Sequence, residues 1–335
     1  MIVTDKRLLD ILCCPSDRGE LSLVAAEPSE PSLRCGQCGR SYPVHNGIPR
    51  FVSDDQYTAN FSHEWRLHRT TQLDSASSAL SERTFAEKTG WTPDDVRGRL
   101  VLDVGCGMGR FADVVLRWGG RVVGIELSYA VDSARANLAH HDGFTAIQAS
   151  VFELPFRPEC FDLIYSIGVL NHTPDPRKAF HCLPPLLRAG GEIAVSVYSL
   201  HAYPPDGIEE RRDRVLRSVT TRMPARLLYA LCRAACLVRI PFGSLWHMLL
   251  PGFVFHGLPK THSYDSYDWR VLDTFNWYSP PYQFKHSYPE VFHWFREAGL
   301  VDIDLRDVEV AVRGRKRAVG TPQLSEPATC TESLV

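Results

Sequence analysis

The sequence lacks long apolar runs, a charge excess of one sign and the features of an export signal. No run of 18 or more apolar residues of membrane-spanning type occurs, which argues against a transmembrane helix. The 37 Lys and Arg nearly balance 39 Asp and Glu, so the whole chain gives no strong signal for nucleic-acid binding. The first twenty residues carry early charges and no apolar signal core. We therefore expect a cytoplasmic protein whose partners are recognised at local sites.

Cysteine is unevenly distributed along the chain. Of the ten cysteines, four lie within the first 38 residues, a pattern more typical of a metal site or reduced thiols than of a disulfide scaffold. The whole chain is 44% hydrophobic and 23% charged, a composition typical of a globular protein. A chain of 335 residues can form one large domain with an appendage, or two domains.

Local composition divides the chain into six regions. In order, they are a cysteine-rich region at 1–52, a polar helical region at 53–98, alternating strands and helices at 99–199, an Arg-rich helical insertion at 200–265, a further regular region at 266–312 and a non-periodic tail, predicted to be disordered, at 313–335. The strands predicted in the third region are Leu100–Val104, Arg121–Ile125, Thr145–Ala149, Phe161–Ser166 and Gly191–Val197. Strands alternating with helices predict an α/β fold with a parallel sheet.

A glycine-rich loop, VLDVGCGMGRF, connects the first of these strands to a helix over Arg110–Arg117. Gly105, Gly107 and Gly109 give the spacing G-x-G-x-G, whereas the dinucleotide fingerprint is G-x-G-x-x-G, and Arg110 occupies its third glycine position. A pyrophosphate is therefore disfavoured. About twenty residues later, Glu126 closes the next strand, where a carboxylate can accept hydrogen bonds from ribose hydroxyls.

Five segments carry a resemblance to a known family: VLDVGCGMGRF, VVGIE, QASVFELPF, FDLIYSIGVLNHTPDP and LLRAGGEIAVSVY. In this order they resemble the motifs of class I S-adenosylmethionine-dependent methyltransferases, especially the ubiquinone and menaquinone biosynthesis branch. The resemblance implies a Rossmann-like seven-stranded sheet with one antiparallel strand, and S-adenosylmethionine as cofactor. It implies that the three glycines let the backbone approach the methionine part, that Asp103 helps place its amino group and that Glu126 holds the ribose.

One motif departs from the family pattern at the adenine end. Where the family commonly has an acidic residue facing the adenine amino group, this chain has Ser150, followed by Val151. A hydroxyl can accept a hydrogen bond, but without charge. We expect cofactor binding to survive with weaker affinity; the alternative is that Ser150 is only a turn residue at a strand end.

Asn171 and His172 follow the strand FDLIYSIGVL, in the segment that resembles the family's loop beside the transferable methyl. Methyl transfer is an in-line displacement, in which positioning of the reactants dominates. His172 is the candidate general base for a hydroxyl acceptor, and Asn171 is a candidate positioning group. Two alternatives remain open: His172 only orients the loop or substrate, or it stabilises an enolate for a carbon acceptor.

The segment DTFNWYSPPYQFKHSYPEVFHWF is the candidate substrate-binding region, with Trp277, Tyr278, Tyr282 and His286 as candidate contacts. Aromatic rings near a sulfonium can give cation–π attraction or line an apolar pocket. The alternative is ordinary core packing and, for His286, a place just before a helix that a capping box predicts at Ser287.

The N-terminal cysteines resemble the zinc-ribbon domain of the activator subunit of tRNA and translation-factor methyltransferases. Cys35 and Cys38 form a C-x-x-C half-site suited to zinc. The resemblance implies C-P-x-C in the other half, where this chain has Cys14-Pro-Ser-Asp17. Asp17 is a candidate oxygen ligand. Two alternatives remain open: Cys13 supplies the fourth ligand instead, or the ribbon binds no metal. His45 is a weaker candidate ligand.

The leading hypothesis is a cytoplasmic methyltransferase that methylates a small molecule, preferably at oxygen, such as a secondary or glycosylated metabolite. Regions 53–98 and 200–265 would form a lid that excludes water. The insertion has two further interpretations, a solvated helical face and a peripheral membrane contact through 225–258. The rival functions are RNA or protein methylation with the ribbon binding the substrate, and a non-catalytic cofactor-bound module. The oligomeric state is left open.

Overall fold

The computed structural model describes residues 6–25, 30–52, 70–74, 79–200, 208–237, 267–308 and 310–318. Two sheets form within these ranges, one of four strands and one of seven. Among the described residues, no helix combines the length and the apolar character that crossing a bilayer requires.

The four-stranded sheet belongs to the N-terminal unit, defined here as residues 6–25 and 30–52. Helix α1 precedes an antiparallel meander in chain order; these elements are α1 (Lys6–Ile11), β1 (Leu21–Val24), β2 (Ser32–Cys35), β3 (Ser41–His45) and β4 (Ile48–Pro49). Asn46 and Gly47 both have positive φ, 54° and 76°, which a two-residue hairpin between β3 and β4 requires. Leu8, Leu12 and Leu33 are buried in the same hydrophobic core as the large sheet.

The seven-stranded sheet consists of β5 (Leu100–Val104), β6 (Arg121–Glu126), β7 (Phe144–Gln148), β8 (Phe161–Ile167), β9 (Leu187–Val197), β10 (Val301–Arg306) and β11 (Val310–Arg315). Its order is β10-β11-β9-β8-β5-β6-β7, and β11 alone runs antiparallel to its neighbours. The expected α/β fold with one antiparallel strand is therefore confirmed. All five predicted strands form, and β9 begins four residues early because its pairing with β8 continues across a register shift.

The remaining helices are α2 (Leu80–Thr89), α3 (Pro93–Val96), α4 (Arg110–Arg117), α5 (Ala130–Asn137), α6 (Pro176–His181), α7 (Ile208–Thr220), α8 (Ala225–Cys236), α9 (Tyr267–Tyr278) and α10 (Tyr288–Glu297). Helix α4 has the predicted bounds. The helix start predicted at Ser287 is also confirmed, because the Ser287 side chain accepts a hydrogen bond from the Glu290 N–H at the start of α10, although the Glu290 carboxylate bonds His286 and does not complete the predicted capping box.

Two predicted regions need comment. The boundary at 312/313 is wrong, because β11 continues to Arg315, where it pairs with Glu192 of β9 and forms an ion pair with it. Charged side chains masked this strand in the sequence. Within the predicted lid, residues 208–237 form α7 and α8, and α8 packs on α9 around Leu228 and Phe275. Residues 53–69, 75–78, 238–265 and 319–335, including most of the proposed membrane contact, lie outside the described ranges.

Candidate functional site

A cleft of about 500 Å³ opens at the carboxyl ends of β5, β6 and β8, the usual ligand-binding edge of a parallel sheet. The predicted site residues that line it are Gly105, Gly107, Glu126, Ser150, Val151, His172 and Trp277. The cleft is large enough for a ligand of the size of a modified nucleoside. Seven predicted residues from separate parts of the sequence therefore surround one space.

The glycine loop fits tightly between β6 and the loop after β8. The N–H groups of Gly105 and Cys106 both donate to the Ile125 carbonyl, at 2.8 and 2.9 Å. Gly105 has a φ of 79°, and a Cβ there would lie 2.4 Å from Cγ1 of Val169. Gly109 begins α4 behind the cleft, with a φ of 93°. Glycine is required at these positions both by the backbone angle and by the close packing.

Two carboxyl groups lie at the loop. Asp103 is buried beneath it rather than in the cleft lining, and its Oδ2 has no hydrogen-bond partner among the described residues. Burial raises the pKa of Asp103 to about 7, and the charge of Glu126 contributes. Glu126 lines the cleft and accepts hydrogen bonds from the N–H groups of Gly107 and Ser128, at 3.2 and 2.8 Å. Burial also raises the pKa of Glu126.

These features fit the cofactor that the sequence predicts. The Glu126 carboxylate at the end of β6 lines the cleft, where it can accept hydrogen bonds from ribose hydroxyls, and the Asp103 carboxyl lies beneath the glycine loop. At the other end, Ser150 lines the cleft while its Oγ accepts from the Phe152 N–H at 3.3 Å. Ser150 is thus both a turn residue and a cleft residue.

His172 lies at the end of a 3₁₀ turn, Leu170–His172, with its ring in the cleft wall. Its Nδ1 lies 2.9 Å from the Tyr282 carbonyl oxygen, which can only accept, so Nδ1 carries the proton and Nε2 is the acceptor atom of the neutral ring. Burial lowers the pKa of His172 to about 4, against the opposing effect of this hydrogen bond. The ring is therefore neutral at pH 7.

The structure does not bring Asn171 to the cleft. Its side chain is fully buried, and neither its amide oxygen nor its nitrogen has a hydrogen-bond partner among the described residues. Its backbone carbonyl accepts from the Phe284 N–H at 2.9 Å. The Asn171 side chain, predicted to position the substrate, thus lies outside the cleft lining, because the 3₁₀ turn directs His172 and Asn171 differently.

Of the four candidate substrate residues, Trp277 lines the cleft and stacks on Tyr198 at 5.6 Å. Tyr278 is buried on another side of α9, where its hydroxyl donates to Asp213 at 3.0 Å. Tyr282 contributes its carbonyl to His172, and its ring lies outside the lining. His286 is buried against Trp294 and hydrogen-bonds Glu290, as the helix-start alternative requires. Of the four predicted substrate contacts, the structure therefore has only Trp277 in the cleft lining, with the other three outside it.

Sequence reasoning missed several charged and polar residues that line the cleft. Helix α9 contributes Asp273 and Asn276 beside Trp277, at helical spacing, and burial raises the pKa of Asp273 to about 7. Arg110 also lines the cleft, with its guanidinium over the rings of Phe111 and Trp269. The spacing of Asp273 and Trp277, four residues apart, was the available signal for this wall.

The N-terminal unit brings together Cys14, Asp17, Cys35 and Cys38, whose ligand atoms all lie within 4.8 Å of one another. The two Sγ atoms of Cys14 and Cys38 are 3.7 Å apart. Tetrahedral zinc with Zn–S bonds of about 2.3 Å separates its ligand atoms by about 3.8 Å, so the four residues fit this ion. Cys13 instead faces Arg18, and His45 pairs with Glu30.

We expect the purified protein to contain about one zinc ion per chain by elemental analysis. Asp17→Ala should lose the ion to a chelator faster than the wild type, because three thiolates remain. Asp17→Cys should retain it longer. The exposed Asp10→Ala on α1 is the control. A zinc-free wild type, or equal retention by all variants, would contradict the assignment.

Comparisons with known families locate two segments. Residues 102–195 match the family model described as a methyltransferase domain. Residues 5–47 match the model described as a Trm112p-like protein. The first segment contains the glycine loop, Glu126 and His172, and the second contains the four candidate zinc ligands.

The chain is also similar to individual proteins. It is 36% identical over 104 residues to a ubiquinone biosynthesis O-methyltransferase of Alkalilimnicola ehrlichii, covering 30% of this chain and 42% of the relative. It is 26% identical over 172 residues to a sterol 24-C-methyltransferase of Gibberella zeae, covering 49% and 44%. A solved S-adenosylmethionine-dependent methyltransferase from Mesorhizobium loti is 30% identical, with coverage of 33% and 51% and a TM-score of 0.30. The chain thus spans less than half the length of both curated relatives.

Proposed function

We propose that this chain, which carries a methyltransferase domain at residues 102–195 and a Trm112p-like segment at residues 5–47, transfers a methyl group from S-adenosylmethionine to a small-molecule oxygen. The observation that carries the proposal is the cleft itself. Its lining includes Gly105 and Gly107 of the glycine loop, Glu126 and His172, which supports the proposal. The names of the ubiquinone relatives support oxygen as the acceptor atom.

In this proposal, the carboxyl ends of β5 to β7 hold the cofactor. Glu126 would accept hydrogen bonds from ribose hydroxyls, and Gly105 and Gly107 would admit its methionine part against the loop backbone. Ser150 and Val151 would border the adenine. Bound S-adenosylmethionine would supply an electrophilic methyl group on a sulfonium.

His172 would take the proton of the acceptor hydroxyl. The Tyr282 carbonyl holds Nδ1–H, so the Nε2 lone pair receives the proton as the acceptor oxygen becomes the nucleophile. The lowered pKa keeps the ring unprotonated at neutral pH. The stacked rings of Tyr198 and Trp277 would flank the acceptor and exclude water from it.

The experiment is transfer of a labelled methyl group from S-adenosylmethionine into separated metabolite, RNA and protein fractions, with the labelled product identified. We expect the label in the metabolite fraction, on oxygen. Label in RNA or protein would favour the corresponding rival function. Failure of folded protein to bind S-adenosylhomocysteine in calorimetry would overturn the cofactor assignment, and binding without any transfer would favour a non-catalytic module.

A further inference from the structure

Arg50 is a buried cation that the proposed reaction does not use. It follows β4 in the N-terminal unit and is 7% exposed. Its Nη1 donates to Oε1 of Gln148 at 3.0 Å, and its Nη2 donates to Oδ1 of Asp132 at 2.6 Å. Both acceptors belong to the methyltransferase segment. One guanidinium of the N-terminal unit therefore bonds two separate elements of the large domain.

The main chain fixes Arg50 from both sides. Its N–H donates to the Pro43 carbonyl of β3 at 2.9 Å, which ties it to the N-terminal unit. Arg50 also forms a parallel bridge with Gln148, and the next N–H, of Phe51, donates to the Gln148 carbonyl at 2.8 Å. The guanidinium is thus delivered to the edge strand β7 by backbone pairing, with little conformational freedom left to lose.

Gln148 connects this contact to the cleft. Its Oε1 accepts from Arg50, and its Nε2 donates to the Leu127 carbonyl at 2.9 Å. Because a guanidinium only donates, it forces the amide oxygen toward itself and the NH₂ group toward Leu127. Leu127 and its neighbour Glu126 both line the cleft. A flipped amide would place its oxygen against the Leu127 carbonyl.

The second acceptor holds the other side of the same turn. Asp132 lies in the first turn of α5, and its N–H donates to the Tyr129 carbonyl at 3.1 Å. The guanidinium of Arg50 also lies 5.9 Å from the centre of the Tyr129 ring. Between these contacts, the Ser128 N–H donates to the Glu126 carboxylate at 2.8 Å. Arg50 thus contacts Tyr129 and Asp132, which follow the turn 126–128, and Gln148, which pairs with Glu126 at the start of the turn.

We infer that Arg50 is a positioning residue for cofactor binding: through Gln148 and Asp132 it holds the turn 126–128 in the shape that receives the ribose end of the nucleoside. The N-terminal unit thereby acts on the cofactor site within one chain. This inference rests on the proposed function. Removing the guanidinium leaves the Gln148 amide free to flip and leaves the Asp132 carboxylate without this donor. Both changes loosen the turn 126–128, whereas the residues proposed to flank the methyl acceptor are unaffected.

The test compares Arg50→Met with a matched control, Arg34→Met, which replaces an exposed arginine on β2. Methionine keeps an unbranched apolar stem and loses the donors. The dissociation constant of S-adenosylhomocysteine, measured by calorimetry, should rise about tenfold in Arg50→Met, only part of the effect of two lost charge-assisted hydrogen bonds, because Arg50 acts on the cofactor through the turn. It should stay within about twofold in the control. Arg50→Lys should restore binding in part, because an ammonium cannot bond both acceptors as a planar fork does.

Two further readouts separate positioning from general destabilisation. In Arg50→Met, kcat at saturating cofactor and KM for the acceptor should stay unchanged while the cofactor dissociation constant rises. Gln148→Leu combined with Arg50→Met should weaken binding by less than the sum of the two single variants, since the part of the Arg50 effect that runs through Gln148 is lost in both. Should Arg50→Met not fold, Asp132→Asn, at a side chain that is 37% exposed, takes its place with a smaller expected rise.

Hydrogen exchange of residues 126–132, measured without ligand, tests the link from Arg50 to the turn independently of the proposed function. Arg50→Met should exchange faster there than the wild type, and Arg34→Met should not. Unchanged exchange and unchanged affinity, or additive losses in the double variant, would overturn the inference. Faster exchange in a protein whose wild type does not bind S-adenosylhomocysteine would overturn the proposed function and leave the link from Arg50 to the turn in place.

Discussion

Replacing His172 with alanine is expected to lower kcat by a factor of roughly 10² to 10⁴, with the cofactor dissociation constant unchanged. The imidazole is the group that we propose takes the acceptor proton, and its Nδ1 is held by the Tyr282 carbonyl at 2.9 Å. Without the imidazole, the acceptor hydroxyl must lose its proton to water or react without a base. The measurement is steady-state kinetics of labelled-methyl transfer together with calorimetry of S-adenosylhomocysteine.

The control is His293→Gln, which replaces a histidine of α10 that is 69% exposed and lies outside the cleft lining. It should leave kcat unchanged. If His172→Ala retains the wild-type kcat, the proton-accepting role is wrong and the orienting alternative gains support. If the variant loses cofactor affinity instead, His172 belongs to the cofactor site.

The pH dependence of kcat/KM follows from the lowered pKa of His172. Burial lowers the pKa of His172 to about 4, so the ring stays neutral from pH 8 down to about pH 5. The acid limb of kcat/KM that belongs to His172 should therefore lie near pH 4, below the pKa of about 6.5 of an unperturbed histidine. Since the unfolded chain binds this proton at higher pH, the histidine also costs stability as pH falls from about 6.5 toward 4. A His172 limb at pH 6.5 would contradict the buried environment.

The core of the site could be predicted because its chemistry is local in sequence. The glycine loop and His172 follow buried apolar strands, Glu126 ends another, and the carboxyl ends of parallel strands meet at one edge. The substrate wall could not be predicted in the same way. Trp277 and Tyr278 are adjacent on α9, and successive helical residues point about 100° apart, so both could not face the cleft.

Long-range pairing accounts for the other differences. At the metal cluster, Asp17 and not Cys13 joins the other three residues, and the Cys13 thiol contacts Arg18, whose guanidinium also donates to the Phe156 carbonyl of the large domain. Strand β11 carries Arg313 and Arg315 in a position that only β9 and β10 complete, through ion pairs with Glu192 and Asp304. Asp304 lies only nine residues before Arg313, but Glu192 lies 123 residues before Arg315, and composition alone indicated a tail.

Replacing Gly105 with alanine should abolish cofactor binding and destabilise the fold. The residue has a φ of 79°, which costs an L-residue about 1–2 kcal/mol in the free energy of unfolding. A new methyl group would also overlap Val169, whose Cγ1 lies 2.4 Å from the Cβ position. Such overlap adds about 1–3 kcal/mol, or moves the loop into the cleft.

Gly98 provides a matched control for the two contributions. It has a φ of 73°, and a Cβ there would meet no atom within 4 Å among the described residues. Gly98→Ala should therefore show only the backbone cost. Denaturant unfolding of both variants isolates the steric part as their difference, and calorimetry of S-adenosylhomocysteine should show lost binding in Gly105→Ala alone.

Val169→Ala completes the design, because it removes the two Cγ atoms that would overlap the new methyl group. In the double variant, Gly105→Ala with Val169→Ala, we expect part of the lost stability to return, since the Val169 Cβ still lies 2.9 Å from the new atom. Equal destabilisation by Gly105→Ala and Gly98→Ala would show that the loop does not pack against Val169. The packing of the glycine loop against Val169 would then not be the reason why position 105 needs glycine.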